Sequence, residues 1–173
     1  MNSHTDVAGK HMARTPAMHI GRTAEATVYI DAPPHAVWEA VADIARQTEW
    51  SCEATRMDWI PPAREATVGA RFRGSNHRGI MRWTRENEVL EADPERVFSW
   101  RTLPTRLYPD STIWRIELRP SGAGTEVRES FQVVKMNRAF EIMLYWINPV
   151  HRNRSGDLAG DLARLKTFVE SRA

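Results

Sequence analysis

Hydrophobic positions recur at helical spacing near the C-terminal end of the chain and at every second residue through its middle. Across residues 137–173, Phe140, Met143, Ile147, Val150, Leu158, Leu162, Leu165 and Val169 fall on one stripe, with polar residues opposite. That period predicts a long amphipathic helix. Asn148-Pro149 interrupts the stripe, because proline lacks a backbone donor and disfavours helical geometry in the residue before it. The helix is therefore expected in two parts. Near the other end, Ala26, Val28 and Ile30 alternate with Thr27, Tyr29 and Asp31, the pattern of a half-buried strand. The double proline Pro33-Pro34 stops it and suits the first turn of a helix, and Val37, Trp38 and Val41 then recur at helical spacing. We expect a short helix over residues 34–43, a second helical turn over 44–50, and extended chain over 54–60.

The middle of the chain alternates with period two, punctuated by Gly69, Gly79, Pro94, Pro104, Pro109 and Gly122. Ala70, Phe72, Gly74 and Asn76 share one face of the first such segment. On the next, the same parity collects Met81, Trp83, Arg85, Asn87 and Val89. Phe98 and Trp100 continue the series, then Trp114, Ile116 and Leu118, and last Val127, Glu129, Phe131 and Val133. The result is one antiparallel sheet with a charged, solvated face and an aromatic-rich face. A single terminal helix with one apolar stripe then has the aromatic face to lie across, which makes the class α+β.

Composition narrows the function classes. At 173 residues the chain is long enough to bury a real core without disulfides or metal. Residues 1–21 show no period and are expected to form a disordered leader, with 22–173 as one domain. The formal net charge is +2, from 24 basic and 22 acidic residues, so no strong field calls for nucleic acid. Arg71, Arg73, Arg78, Arg82 and Arg85 cluster, but Glu86, Glu88 and Glu91 follow closely and neutralise them. The longest apolar run, 142–147, is far short of the roughly 20 residues a membrane-spanning helix requires. Cys52 has no partner for an internal disulfide, in keeping with a cytoplasmic protein. His35, His77 and His151 stand at no metal-ligand spacing, and no phosphate-binding loop occurs, so neither metal nor cofactor is expected.

The order strand, two short helices, six strands and long helix resembles the START-like superfamily, in its SRPBCC or polyketide cyclase/dehydrase-like branch. The likeness is carried by IDAPPHAVWEAVADIARQTEW, with Ala32, Pro33, Trp38, Asp43 and Trp50 at the family's positions. VGARFRGSNHRGIMRWTRENEVLEADPERVFSW is similar to a bacterial subgroup, and GTEVRES followed by DLARLKTFVE completes the match. The resemblance implies a helix-grip fold: a curved antiparallel sheet of about seven strands wrapped around a long C-terminal helix, with two short helices after the first strand. It also implies a mostly apolar cavity between sheet and helix.

The candidate lining follows from parity. Phe72, Trp83, Phe98, Trp100, Trp114 and Phe131 point inward from the strands, with Met143 and Ile147 opposite them on the helix. Each also reads as plain core, but as a group they suit a planar or hydrophobic ligand. Four polar residues share that parity: Asn76, Arg85, Asn87 and Glu129. Burying them costs roughly 1 to 3 kcal/mol each unless they are partnered. Either Arg85 and Glu129 form a buried ion pair, or they present hydrogen bonds to a ligand and serve as candidate catalytic groups. The expected function is binding of a small hydrophobic molecule, aromatic polyketide-like or lipid-like. A polyketide cyclase/dehydrase enzyme is the alternative, and an interaction protein of the toxin-antitoxin or chaperone-cofactor kind is a further one. The sequence sets no oligomeric state.

Overall fold

The computed structural model describes residues 19–147 and 153–172. Strand β1 (Thr23–Ile30) leads through Pro33 into helix α1 (Pro34–Ala42), then a turn of 3-10 helix and α2 (Gln47–Trp50). Six strands follow: β2 (Ala54–Trp59), β3 (Arg71–Arg78), β4 (Met81–Asp93), β5 (Val97–Thr102), β6 (Ser111–Ser121) and β7 (Gly124–Lys135). Helices α3 (Arg138–Ile147) and α4 (Ser155–Glu170) complete the order. The expected division of the terminal helix is present, while Asn148-Pro149 itself lies outside the described residues, as do Val150 and His151. Among the described residues no helix is long and apolar enough to cross a membrane.

The seven strands form one antiparallel sheet in the order β1-β7-β6-β5-β4-β3-β2. Register shifts at Ala54/Arg56, Val89/Glu91 and Ser111/Thr112 are places where an extra residue bends a strand, which suits a curved sheet. The charged face carries cross-strand ion pairs such as Arg73–Glu86 and Arg101–Glu88. Being exposed, each is worth about 1 kcal/mol or less. Of the arginine cluster of the sequence, Arg73 pairs with Glu86 of the neighbouring strand, Arg78 with Glu53 and Asp157, and Arg85 with Asp110.

The core occupies one half of the concave face. Val37 and Val41 of α1 and Leu162 and Leu165 of α4 pack with Ile30, Phe98, Ile116 and Val127 of the sheet, all essentially inaccessible. Side-chain donors tie α2 to α1, with Trp50 Nε1 donating to Ala40 O and Gln47 Nε2 to Val41 O. Helix α4 therefore fulfils the expected stripe through Leu158, Leu162, Leu165 and Val169.

Helix α3 departs from it. Met143 and Ile147 are 42% and 57% exposed, and Trp146 is 65% exposed. The inward face carries Phe140, Leu144 and the preceding Met136 instead. The phase is set by Glu141, which is 1% exposed and accepts hydrogen bonds from Arg22, Arg138 and the backbone of Ile20, with His19 alongside at 3.2 Å. A carboxylate that collects basic side chains from the N-terminal segment and from its own first turn fixes which way the helix faces. Residues 19–21, grouped with the leader by composition, lie in this clasp, and Ile20 is buried.

Candidate functional site

Where the core ends, the concave face stays open. A cavity of about 220 Å³ lies between β3 to β7, the inward side of α3 and the first turns of α4. Its wall is aromatic: Trp100 stacks nearly parallel to Trp114 across the β5–β6 pairing, with centroids 6.4 Å apart, and Trp114 meets Phe131 at 5.3 Å. Trp83 faces the same space from β4. Thr102 and Thr112, on the same parity as Trp100 and Trp114, add hydroxyls to it. That signal was available by extending the alternation two residues.

Arg85 points in from β4 and is held at one end of the cavity by Asp110. Its Nη1 donates to both carboxylate oxygens at 2.9 and 3.0 Å, and Nη2 donates to the Asp110 carbonyl at 3.0 Å. The guanidinium also lies over the Tyr108 ring, 5.3 Å from its centroid. The Arg85–Glu129 pair considered from sequence does not form. Sheet order places β4 and β7 three strands apart, about 14 Å at the usual spacing, whereas Asp110 sits in the loop that enters β6.

At the other end, the entry to α4 is fastened by a second set of charges. Arg154 Nη2 donates to Glu53 at 2.7 Å, Arg78 Nη1 donates to Glu53 at 2.7 Å, and Arg78 Nη2 donates to Asp157 at 2.7 Å. Arg154 also covers the Trp114 ring, 5.3 Å from its centroid. Arg154 thus lines the cavity, while its neighbours His151 and Arg152 lie outside the described residues.

Glu129 has neither arrangement. It is 4% exposed, and its Oε2 has no hydrogen-bond partner among the described residues. Burial pushes its carboxyl up to about 8, the negative charge of Asp161 adds to this, and Arg154 opposes it. At neutral pH the group therefore carries its proton. Asp161, one helical turn beyond Asp157 on α4, accepts a hydrogen bond from the Cys52 backbone at 2.6 Å and is itself shifted upward, chiefly by burial. The Cys52 thiol is pushed up to about 12 by burial and by Asp161. It is no thiolate nucleophile at neutral pH.

Eight of the residues marked from sequence thus surround one space: Asn76, Trp83, Arg85, Asn87, Trp100 and Trp114, with Glu129 and Phe131. Asn76 and Asn87 spend an amide hydrogen on carbonyls of their own strands, at 3.4 and 3.3 Å. Phe72 and Phe98 are fully buried in the core beneath and do not reach the lining. Met143 and Ile147 face away, for the reason given above. Asp110, Asp161, Arg154 and Glu53 were not marked, because loop and helix positions carry no period-two signal. Asp157 and Asp161 do flank Leu158 and Leu162 at a spacing of four, and that spacing was legible.

The family model for polyketide cyclase / dehydrase and lipid transport matches residues 22–170. No curated protein sequence matches the chain. Among solved structures, TTHA0849 from Thermus thermophilus is similar at 20% identity and a TM-score of 0.65, covering 87% of this chain and 99% of its own. CV1439 from Chromobacterium violaceum is similar at 17% identity and 0.63, covering 86% and 97%. Ara h 8.0201 shares 11% identity at 0.63, covering 87% and 98%. At these identities the likeness is one of fold.

Proposed function

The chain belongs to the polyketide cyclase/dehydrase and lipid transport family, and from that premise we propose that residues 22–173 form one domain that binds a small hydrophobic molecule between sheet and helices. The observation that carries this reading is an interior left open where a core would normally close. Tryptophan faces and unpartnered polar atoms surround about 220 Å³ of space, although interiors otherwise pack to crystal-like density. That volume lies somewhat below the roughly 300 to 1,000 Å³ of drug-sized ligand pockets. It suits a molecule of two or three rings, or a short acyl chain.

Titration with the neutral fluorophore N-phenylnaphthylamine tests the reading. Saturable uptake with quenching of tryptophan emission is expected, because Trp83, Trp100 and Trp114 face the cavity. Absence of saturation, together with native mass spectrometry showing no co-purifying small molecule, overturns it.

A second reading, a cyclase or dehydrase, is favoured by one feature. A carboxylic acid whose pKa is raised to about 8 and a second, neighbouring carboxyl face one cavity, and perturbed acids of this kind suit proton transfer. Turnover of a co-purifying metabolite that Glu129→Gln abolishes is the expected outcome under that reading. Unchanged turnover removes Glu129 from the mechanism.

A further inference from the structure

The charges around the cavity say what kind of molecule it accepts. Arg85 is neutralised by Asp110 through two carboxylate contacts. Arg78 and Arg154 are matched by Glu53 and Asp157. Arg82, at the rim, is exposed to solvent. No inward-facing guanidinium among the described residues is left over to balance an incoming anion, and the two lining acids outside these pairs are Glu129 and Asp161. Burying a further carboxylate beside them lacks the counter-charge that such burial requires.

Three buried side-chain atoms lack hydrogen-bond partners among the described residues: Arg85 Nε, Glu129 Oε2 and Arg154 Nε. All three belong to residues of this one cavity. Two are obligatory donors, and the third belongs to a carboxyl group that donates whenever it holds its proton. The two Nε atoms are closed off from the cavity, but the Glu129 carboxyl lines it, so an occupant that offers an acceptor gives that carboxyl a partner and one that offers only hydrocarbon leaves it orphaned. A cationic occupant is disfavoured on separate grounds. The aromatic faces of Tyr108 and Trp114, where a cation would gain most, already carry the chain's own Arg85 and Arg154.

Resting on the ligand-binding reading above, we infer that the cavity selects an uncharged ligand bearing a hydrogen-bond acceptor, such as an aryl ketone, which accepts from the Glu129 carboxyl, and that it rejects carboxylates of the same shape. The Glu129 proton is the recognition element. It is held in place by burial and by Asp161 on α4, with Arg154 at the entry to that helix opposing. Asp157 on α4, Glu53 before β2, Arg82 at the rim, and Arg85 with Asp110 and Tyr108 at the far end are the other titratable or charged groups lining the cavity.

The test is displacement of N-phenylnaphthylamine by three probes on one bicyclic frame: acetylnaphthalene, naphthoate and naphthylmethylamine. At neutral pH acetylnaphthalene is expected to bind at least about tenfold tighter than naphthoate, a difference of roughly 1.4 kcal/mol. Its affinity falls as pH rises through about 8, where Glu129 gives up its proton. Glu129→Gln, whose amide still donates, keeps the ketone preference and flattens the pH profile. Glu129→Leu, the packing control, still takes up the fluorophore but loses at least about tenfold in ketone affinity. Naphthoate binding as tightly as the ketone, naphthylmethylamine binding tightest, or a pH profile unchanged by Glu129→Gln overturns the inference while leaving the binding site standing. Failure of the fluorophore itself to bind removes the binding reading, and this inference with it.

Discussion

Glu129 stands on β7 opposite Ile116 of β6 and Ala26 of β1, where an apolar residue would continue the face. Its Oε2 is buried without a partner among the described residues, and leaving such a group unsatisfied costs about 1 to 3 kcal/mol. Glu129→Leu is therefore expected to raise stability toward urea by about 1 kcal/mol or more, measured as a shift of the unfolding midpoint at constant slope. A destabilised Glu129→Leu variant would mean that the carboxyl is satisfied in the folded protein. The pH dependence follows from the direction of its shift. In the unfolded chain the group titrates near its ordinary 4.5, in the folded chain near about 8, so the folded state binds the extra proton between those values. Its stabilising contribution is complete below the unfolded value and is lost as pH rises through the folded one. Melting of the wild type should decline relative to Glu129→Gln from about pH 5 to about pH 8 and run parallel above it. Glu141 is the opposite kind of buried acid. Although burial alone would raise it, His19, Arg138 and Arg22 hold its carboxyl below the usual range. Glu141→Gln should cost about 1 to 3 kcal/mol, an amount discounted from that of a fully buried pair because its basic partners are half exposed.

At the scale of elements, each helix and strand has a feature that decides its placement. Strand β7 begins at Gly124 beside the end of β1, and a Cβ there would stand 2.3 Å from the Ile30 carbonyl oxygen and 2.6 Å from the Tyr29 hydroxyl. The exposed Tyr29 ring can swing aside, but the Ile30 carbonyl is backbone held in the β1–β7 ladder, so Gly124→Ala is expected to lose about 1 to 3 kcal/mol by thermal or urea unfolding. Helix α4 does two things along its length. Its last turns carry Leu165 and Val169 into the core, while its first turns bring Asp157, Leu158 and Asp161 to the cavity. Leu165→Ala should cost about 2 to 5 kcal/mol, since Leu165 is fully buried among packed neighbours. Helix α3 follows a carboxylate: Glu141 turns Phe140 and Leu144 inward and leaves Met143 and Ile147 outside. A hydrophobic stripe alone pointed the other way.

For the molecule as a whole, the architecture was legible along the chain. Period-two and helical patterns, broken by proline and glycine, set the order of elements and the inward parity of every strand that lines the cavity, because side-chain direction along a strand or helix is local geometry. The same alternation named Asn76, Arg85, Asn87 and Glu129 as inward polar residues. What only the tertiary structure decided was which of these groups meet. Arg85 pairs with Asp110 and not with Glu129, because sheet order sets them three strands apart. Phe72 and Phe98 share the parity of Trp100 yet fall in the core, because Trp59 packs edge-on against Phe72 and Trp38 of α1 edge-on against Phe98. Arg154 and Asp161 reach the cavity from a helix docked across strands distant in sequence. Partner choice between buried charges depends on distances between segments far apart in the chain, and no local period encodes those. Glu129 is left without a partner among the described residues for that reason, and the proposed ligand selectivity rests on it.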